Sequence, residues 1–543
     1  MQNIKQSSVG YISPPLSGRR SVKLRQFFLH RLPIPLGAGL AASLLTVTLM
    51  LILRVAAGIP TPVELFGDHI LKLFNANTFV LILVTFAPNS KTVPLGLALL
   101  GMIGAGTLLG LLYATIVRVA TPAQGKWPGR REWLTALAFA STMTLVRVLL
   151  FQEELRQNTF GYPIGWATLL SGLGLLADFV LYGLTLSLTY RALLPKQVSA
   201  NADRNVQGRR LLLSRASVAA LSIGASVASL GLIKSYLNNY TSYDGSTTPS
   251  PGGVTAPITP NSEHYVVTQN TVDPMPDINL WRLEVGGLVH KPASYTYEEV
   301  QKLPSISRAV TLECIANPPR GHLISTAIWQ GVTLRTLLEQ QGGVQKGASH
   351  VAFYSVDGYT VSLPLDELLR VDTLLAWRMN GVDIPQRHGY PMRVLVPDHY
   401  GEENPKWLTR IEVTDHFVGG LYSDQGWYNG PLHTMSRIDR PTDRVSVGHN
   451  VEVGGIAFAG SRGIQKVEVS TDGGVSWHEA KLQPALSQDS WVLWTWQWQP
   501  ILAGTYTLVV RATDGTGDLQ TEHMQGTVPN GATGYHVVKV MAV

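Results

Sequence analysis

The chain has 543 residues, 15% of them charged, with 43 Lys and Arg against 37 Asp and Glu and a formal net charge of +6. That length exceeds what one core supports, and the charged share falls well short of the ~25% of a soluble protein. The basic excess sits in short clusters between apolar runs of the first part, a placement that points to membrane topology and away from the basic stripe of a nucleic-acid binder.

A bilayer core of ~30 Å needs about 20 apolar residues in a helix. Five stretches qualify: 35–57, 93–117, 133–151, 164–190 and 211–232. Residues 79–87 are too short to span, and with 63–74 before them they read as an amphipathic interfacial or re-entrant element. Arg19, Arg20, Lys23, Arg25 and Arg31 precede the first span; Lys126, Arg130 and Arg131 lie in the second connection; Arg191, Lys196, Arg204, Arg209 and Arg210 lie in the fourth. With five spans these segments share one side, which the positive-inside rule makes cytoplasmic, leaving the carboxyl-terminal half outside. Arg209-Arg210 before "LLLSRASVAAL" reads evenly as an internal twin-arginine export signal or as two anchor charges. Arg54, Arg147 and Asp178 lie in or beside the apolar runs, where ionisable groups either serve function or simply snorkel or pair within the bundle, and snorkelling or pairing is the simpler expectation. Haem ligation wants facing histidines, and this half offers only His30 and His69, neither in a spanning core, so no haem is expected.

The expected organisation is a membrane domain over 1–237, a Ser-, Thr-, Pro- and Gly-rich tether over 238–262, and two outer domains over 263–425 and 426–543. The first outer domain mixes β-like runs ("WRLEVGGLV", "HVAFYSV", "MRVLVP") with helical patterns ("GVTLRTLLEQ", "LDELLRV"), an α+β reading. The second is almost wholly strand signal. "IQKVEVSTDGGVSWHEAKL" alternates around an Asp-Gly-Gly turn, and Tyr506, Leu508 and Val510 share one face, which suggests an immunoglobulin-like sandwich.

Cys314, in "TLECIANPPRGH", is the single cysteine. With no CxxC, HExxH, GxSxG or Walker segment, spacing leaves it an inert core residue, a thiolate ligand, or a nucleophile with His322, His388 or His399 as base. The inert reading is the simplest on spacing alone.

From Ile258 onward the sequence resembles the sulfite oxidase family of molybdenum enzymes, and most nearly its bacterial membrane-anchored members. The segments that carry the likeness are "ITPNSEHYVVTQN", "TLECIANPPRGHLISTAIWQGVTLRTLLE", "DTLLAWRMNGVDIPQRHGYPMRVLVPDHYGEENPKWLTRIEV" and "SRGIQKVEVSTDGGVSWHEAKL". The resemblance implies one molybdenum-molybdopterin cofactor, with Cys314 giving the protein's bond to the metal. It further implies cofactor contacts from Tyr265, Asn317, Ser355, Asp357, His388, Arg393 and Lys406. Arg393 would grip the phosphate as a fork and Lys406 as a point charge, and Asn317 would orient the metal loop.

The chemistry implied is oxygen-atom transfer, sulfite-oxidase-like, or in reverse a reduction of sulfoxides or N-oxides. Two departures bear on substrate. Pro318 and Pro319 stand where sulfite-oxidising members carry arginines, and "VVTQN" lacks the arginine of that segment. A small oxyanion needs such charge, which makes Arg320 the catalytic candidate beside Cys314, with Arg462 as a second source. The second outer domain is the family's dimerisation domain, so a homodimer is implied. Its Trp477, Trp491, Trp494, Trp496 and Trp498 are either interface anchors or core, core being expected for at least half. An external electron partner, such as a cytochrome or a quinone-linked protein, completes the picture of a multi-pass bacterial membrane enzyme with extracytoplasmic catalytic domains. The contrasting class is a membrane receptor on an inactive copy of the same fold.

Overall fold

The computed structural model describes residues 32–543 except 75–77, 79–80, 82–91, 121, 126, 153, 157–159, 161, 163, 197–203, 240–254, 269 and 271–272. Two compact units emerge, one from Met1–Ile52, Ala98–Arg147 and Gly174–Lys234, the other from Leu53–Leu97, Val148–Leu173 and Ser235–Val543.

Among the described residues five helices are long and apolar enough to cross a membrane: Pro33–Ala57, Val93–Val117, Arg130–Leu150, Gly165–Leu193 and Leu212–Lys234. Each contains or overlaps an expected span. In the first unit small residues let helices meet backbone to backbone. A Cβ on Gly39 would lie 2.5 Å from the Thr107 carbonyl oxygen, and one on Gly110 only 2.2 Å from that of Pro35. Tyrosines fasten the same bundle. The Tyr182 hydroxyl donates to the Gly106 carbonyl at 2.6 Å, and that of Tyr113 to Ser187 Oγ at 2.9 Å. Asp178 is buried there, and its Oδ1 has no hydrogen-bond partner among the described residues. Arg209 and Arg210 lie within the helix Arg204–Asn239.

In the second unit the pairing expected of Arg54 is realised. Its Nε lies 2.9 Å from Glu64 Oε2, both side chains buried. Glu64 opens the helix Pro62–Leu73, where Thr61 and Glu64 cap each other through side chain and backbone. That helix is the first part of the expected interfacial element; the second part, 79–87, lies almost wholly outside the described residues.

The tether is shorter than its composition suggests. Residues 240–254 lie outside the described residues, but 255–262 are packed. Thr259 N–H donates to the Thr326 carbonyl at 2.7 Å, Thr326 N–H returns to Thr259 Oγ1 at 3.2 Å, and Asn261 Nδ2 reaches the Met379 carbonyl at 3.2 Å. The polar side chains that read as linker here satisfy a neighbouring strand edge.

Two sheets build the first outer domain. One runs Ala293–Tyr295, Leu283–Gly287, Leu408–Thr414, His350–Ser355, Thr360–Pro364 in spatial order. The other runs Ile306–Glu313, Ile324–Thr333, Leu374–Met379, Val382–Asp383, with Arg393–Leu395 also pairing with Leu374–Met379. Short helices Tyr297–Gln301, Leu334–Gln340 and Leu365–Arg370 complete an α+β fold. Leu283, Val285, Phe353, Leu363, Leu408 and Ile411 form part of its main core.

The second outer domain is two β-sheets around a common core. Val453, Trp494 and Trp498 from one meet Val467, Leu508, Val510 and Val540 from the other. Trp491, Trp494 and Trp498 are buried, while Trp477 and Trp496 are half-buried. The Asp-Gly-Gly hairpin forms as expected, Glu468 opposite Glu479 and Val469 opposite His478.

A further cluster joins the two outer domains. Ile315, Ile324 and Tyr400 pack with Trp427, Leu432, Met435, Ile456, Phe458 and Trp491. Polar contacts lock the seam. Trp491 N–H donates to Thr311 Oγ1 at 2.8 Å, Leu432 N–H to the Asp398 carbonyl at 2.7 Å, and Arg308 lies 3.2 Å from Asp489. The residue after Cys314 is thus held between two domains.

Candidate active site

The strand Ile306–Glu313 ends one residue before Cys314, and a staple of hydrogen bonds closes the loop that follows. Cys314 N–H donates to the Leu323 carbonyl at 2.9 Å, and Asn317 N–H to the Cys314 carbonyl at 2.8 Å. The Asn317 side chain does the rest: Oδ1 accepts from Leu323 N–H at 2.9 Å, and Nδ2 donates to Glu313 Oε1 at 2.8 Å. A short side chain that bonds the Leu323 backbone on one side and the Glu313 carboxyl on the other suits a tight, proline-rich turn.

Cys314 is 8% exposed and faces a cavity of about 880 Å³, partly open to solvent. Tyr265, Asp357, Arg393 and Lys406, expected from sequence, line it with Cys314. Arg393 is buried; its guanidinium donates to the carbonyls of His388 and Asn404, both at 3.1 Å, and lies 5.2 Å from the Trp329 ring centre. Burial lowers its pKa to about 10, so it stays cationic at neutral pH. Lys406 Nζ donates to the carbonyls of Arg387 at 3.0 Å and Val267 at 3.2 Å. Asp357 accepts from Asn270 Nδ2 at 2.7 Å and from Tyr359 N–H at 3.1 Å; burial outweighs these bonds and raises its carboxyl.

Four expected residues stand elsewhere. Arg320 is exposed and does not line the cavity, because the Pro318–Gly321 turn carries it out of the loop. Asn317 acts on the loop backbone, as above, and not on the cavity. His388 lies behind the wall, its ring 5.0 Å from that of His264 and its Nε2 2.9 Å from the Asn261 carbonyl. Burial lowers its pKa to about 3, so it is neutral. Ser355 is buried off the cavity, its Oγ without a partner among the described residues. Arg462 is also committed: Nε donates to Asp514 Oδ2 at 3.0 Å and a terminal nitrogen to the Leu432 carbonyl at 2.9 Å.

The sequence reading passed over His264, Tyr359, Glu402 and Trp427, all on the wall. His264 and Glu402 lie inside the segments "ITPNSEHYVVTQN" and "DTLLAWRMNGVDIPQRHGYPMRVLVPDHYGEENPKWLTRIEV", and Tyr359 stands two residues after the expected Asp357, so a signal was there; Trp427 has none. Burial, then the nearby His388 and Arg393, holds His264 well below the usual imidazole range. Burial, then neighbouring Glu403, raises Glu402 well above the usual carboxylate range. Neither Glu402 carboxyl oxygen makes a well-formed hydrogen bond; the N–H groups of Ile315 and Glu402 itself offset only part of the burial.

Unmet polar atoms test the fit of an anionic, heteroatom-rich group. Among the described residues two buried atoms on the cavity-lining side chains have no partner: the donor Arg393 Nε, and His264 Nε2, an acceptor because Nδ1 of the neutral ring donates to the Tyr265 carbonyl at 3.2 Å. An orphaned buried polar atom costs about 1–3 kcal/mol, and a ligand bearing both acceptors and N–H donors recovers that. A thiol on the same wall adds a soft donor for a metal. The residues fit a molybdenum-pterin group.

Gly401 is where the wall is tightest. A Cβ there would lie 2.6 Å from the Tyr265 hydroxyl and 3.8 Å from Cys314 Cα. Gly401→Ala is therefore expected to cost about 1–3 kcal/mol of overpacking, read as a lower thermal midpoint and faster labelling of Cys314 by a thiol reagent. Adding Tyr265→Phe removes the clashing oxygen and should restore both; failure of that rescue would move the strain elsewhere.

Residues 270–422 match a family model described as the oxidoreductase molybdopterin binding domain, and residues 431–542 one described as the Mo-co oxidoreductase dimerisation domain. Mitochondrial sulfite oxidase of Drosophila melanogaster is 30% identical over 355 residues, covering 52% of this chain and 59% of that protein. The enzyme of the same name from Rattus norvegicus is 28% identical over 344 residues, covering 53% and 62%. Nitrate reductase [NADH] 2 of Phaseolus vulgaris is 26% identical over 334 residues, covering 49% and 37%. The chain thus spans between 37% and 62% of the length of these relatives. With the molybdopterin-binding domain built around the Cys314 cavity and the dimerisation domain following it, the chain belongs to the sulfite oxidase family of molybdopterin oxidoreductases and carries that family's dimerisation domain.

Proposed function

We propose that this protein is a membrane-anchored oxidoreductase that moves an oxygen atom to or from a small substrate, X + H2O ⇌ XO + 2 H⁺ + 2 e⁻. Cys314 is the protein's ligand to molybdenum in this reading. One observation carries it: Cys314 shares a cavity wall with two buried polar atoms that have no partner among the described residues, the donor Arg393 Nε and the acceptor His264 Nε2. When bound, the molybdenum-pterin group supplies the two-electron redox change. The chain supplies the rest. Arg393 and Lys406 would hold the anionic part of the pterin, Tyr265 and Asp357 would close around it, and Asn317 would keep the cysteine loop in register.

Sulfite oxidase and nitrate reductase, the names of the relatives, describe oxygen-atom transfer in opposite senses, and either sense suits the equation. The five apolar helices would anchor the chain, with basic connections inside and the catalytic domain outside. Arg209-Arg210 would then serve export or anchoring. The β-sandwich, immunoglobulin-like in this reading, would pair two copies. Electrons would pass to or from an external cytochrome or quinone-linked protein.

The test is metal and pterin analysis of full-length protein from a host that makes the cofactor, with assays on sulfite, nitrate and sulfoxides using artificial electron carriers. About one molybdenum and one pterin per chain, with turnover of one such substrate, is the expected result. Protein made in that host without molybdenum or pterin would instead support a receptor on an inactive fold.

A further inference from the structure

Four buried polar atoms without a well-formed partner among the described residues belong to side chains that line one small chamber beside the main cavity. They are both Glu402 carboxyl oxygens, Glu403 Oε1 and Trp427 Nε1. The chamber has room for about one water molecule. A single water there can bond to both carboxyl groups and accept from the indole N–H, and a buried water typically makes about three such bonds.

Glu402 stands between two spaces. With Trp427 it lines both the Cys314 cavity and this chamber, whereas His264, Arg393 and Lys406 line the cavity only. The chamber wall also includes the exposed Asn429, so its far side reaches the surface. Tyr359 holds the partition, its hydroxyl donating to the Glu402 carbonyl at 2.5 Å. Behind Glu403 stands His399, fully buried, with Nδ1 on Glu403 and Nε2 3.2 Å from Glu367. Burial lowers His399, but the bonds to Glu367 and Glu403 outweigh it and hold its pKa at about 10, so the ring is cationic at neutral pH. Burial raises Glu403, and the His399 bond opposes that. Tyr265, Tyr359 and Tyr400 are the other ionisable groups facing Glu402.

Burial and the neighbouring Glu403 keep Glu402 protonated. A neutral carboxyl can take a proton on one oxygen while giving one from the other, and rotation of the group resets it. Resting on the oxidoreductase reading above, whose equation moves two protons per turnover, we propose that Glu402 passes protons between the Cys314 cavity and a water bound by Glu402, Glu403 and Trp427 in the adjoining chamber. In the oxidising sense one Glu402 oxygen takes a proton released in the cavity as the O–H bond on its other oxygen breaks toward the water. The water then hands a proton to Glu403 or to solvent beside Asn429. In the reducing sense each transfer runs backward. Only protons move in these steps, so they consume no oxidant or reductant.

The test uses full-length protein in detergent from a host that makes the cofactor. A crystal structure is expected to show a water within hydrogen-bond distance of both Glu402 and Glu403. Infrared spectra after transfer to D2O follow the C=O band of protonated Glu402, identified by its loss in Glu402→Gln. Trp427→Phe and Glu403→Gln loosen the water and should slow deuteration of that band about 10-fold or more. Glu402→Gln should lower kcat about 100-fold with KM, molybdenum and pterin content unchanged, a split that a merely structural role would not produce. Three results overturn the proposal: a chamber without the water, deuteration at the wild-type rate in both loosening variants with folding intact by circular dichroism, or wild-type turnover by Glu402→Gln. Molybdenum and pterin content of the same samples tests the oxidoreductase reading separately. Water and slowed deuteration in protein that carries no cofactor keep the proton site and sink that reading. Loaded, active protein that lacks both does the reverse, and protein that lacks all of these refutes both.

Discussion

Cys314→Ser is expected to abolish turnover while leaving the protein folded and in the membrane. The two parts of that expectation rest on different atoms. The fold around position 314 depends on backbone: its N–H on the Leu323 carbonyl, its carbonyl on Asn317 N–H, and the Asn317 side chain across the loop. None of these uses the sulfur, and serine is close to cysteine in size, so the thermal midpoint should move by no more than a few degrees (about 1 kcal/mol). The protein's own bond to the metal depends on the sulfur alone. Oxygen is a harder and less polarisable donor than thiolate. Loss of a residue that merely orients a metal ligand costs roughly 10–100-fold, so loss of the ligand itself should cost more. Steady-state assays with an artificial carrier read the rate. X-ray absorption at the molybdenum edge reads the ligand, with one sulfur fewer around the metal in the variant. Wild-type turnover by the serine variant would refute the assignment.

Much of this site was legible because its determinants are local. "TLEC" gives the end of a strand and the thiol together, and "HGYPMR" places Arg393 at the start of the strand that pairs with Leu374–Met379. Span lengths and the Asp-Gly-Gly hairpin are likewise set by short-range pattern, which is why the five long helices and the Glu468–Glu479 pairing match expectation. What was not legible depends on long-range assembly. Nothing in "PPRG" says that the turn swings Arg320 outward, or that Arg462 meets Asp514 across the second domain. His388 sits in the expected segment, but only the packed fold shows His264 between it and the cavity wall. Glu402 and Trp427 line one cavity because the interdomain cluster packs Trp427 with Tyr400 and Ile315, a contact without local signature. The tether failed for the opposite reason: residues 255–262 have linker composition yet complete a strand edge.

Arg393→Lys is expected to keep the charge and lose the cofactor. Arg393 does three things at once. It donates to the His388 and Asn404 carbonyls at 3.1 Å each, lies 5.2 Å from the centre of the Trp329 ring, and leaves Nε pointing to no protein acceptor. A planar fork with five N–H groups can do this; an ammonium on a flexible stem cannot bridge two carbonyls and an incoming anion together. Either carbonyl, once orphaned in the interior, costs about 1–3 kcal/mol, and the lysine pays further to sit in a site where only 3% of the arginine is exposed. The expected outcome is protein that still folds, with molybdenum and pterin content reduced at least 10-fold on purification; charge-assisted bonds worth roughly 1.5–3 kcal/mol each set that scale. Arg393→Ala should go further and lower the thermal midpoint as well, since it also opens a void beside Trp329. Lys406→Arg supplies the contrast. Lys406 stands at the same chamber as a point charge, so this change keeps the charge and should be the milder of the two. If Arg393→Lys retains full cofactor content after gel filtration, the fork is not what holds the pterin, and its phosphate must be gripped elsewhere in the chamber.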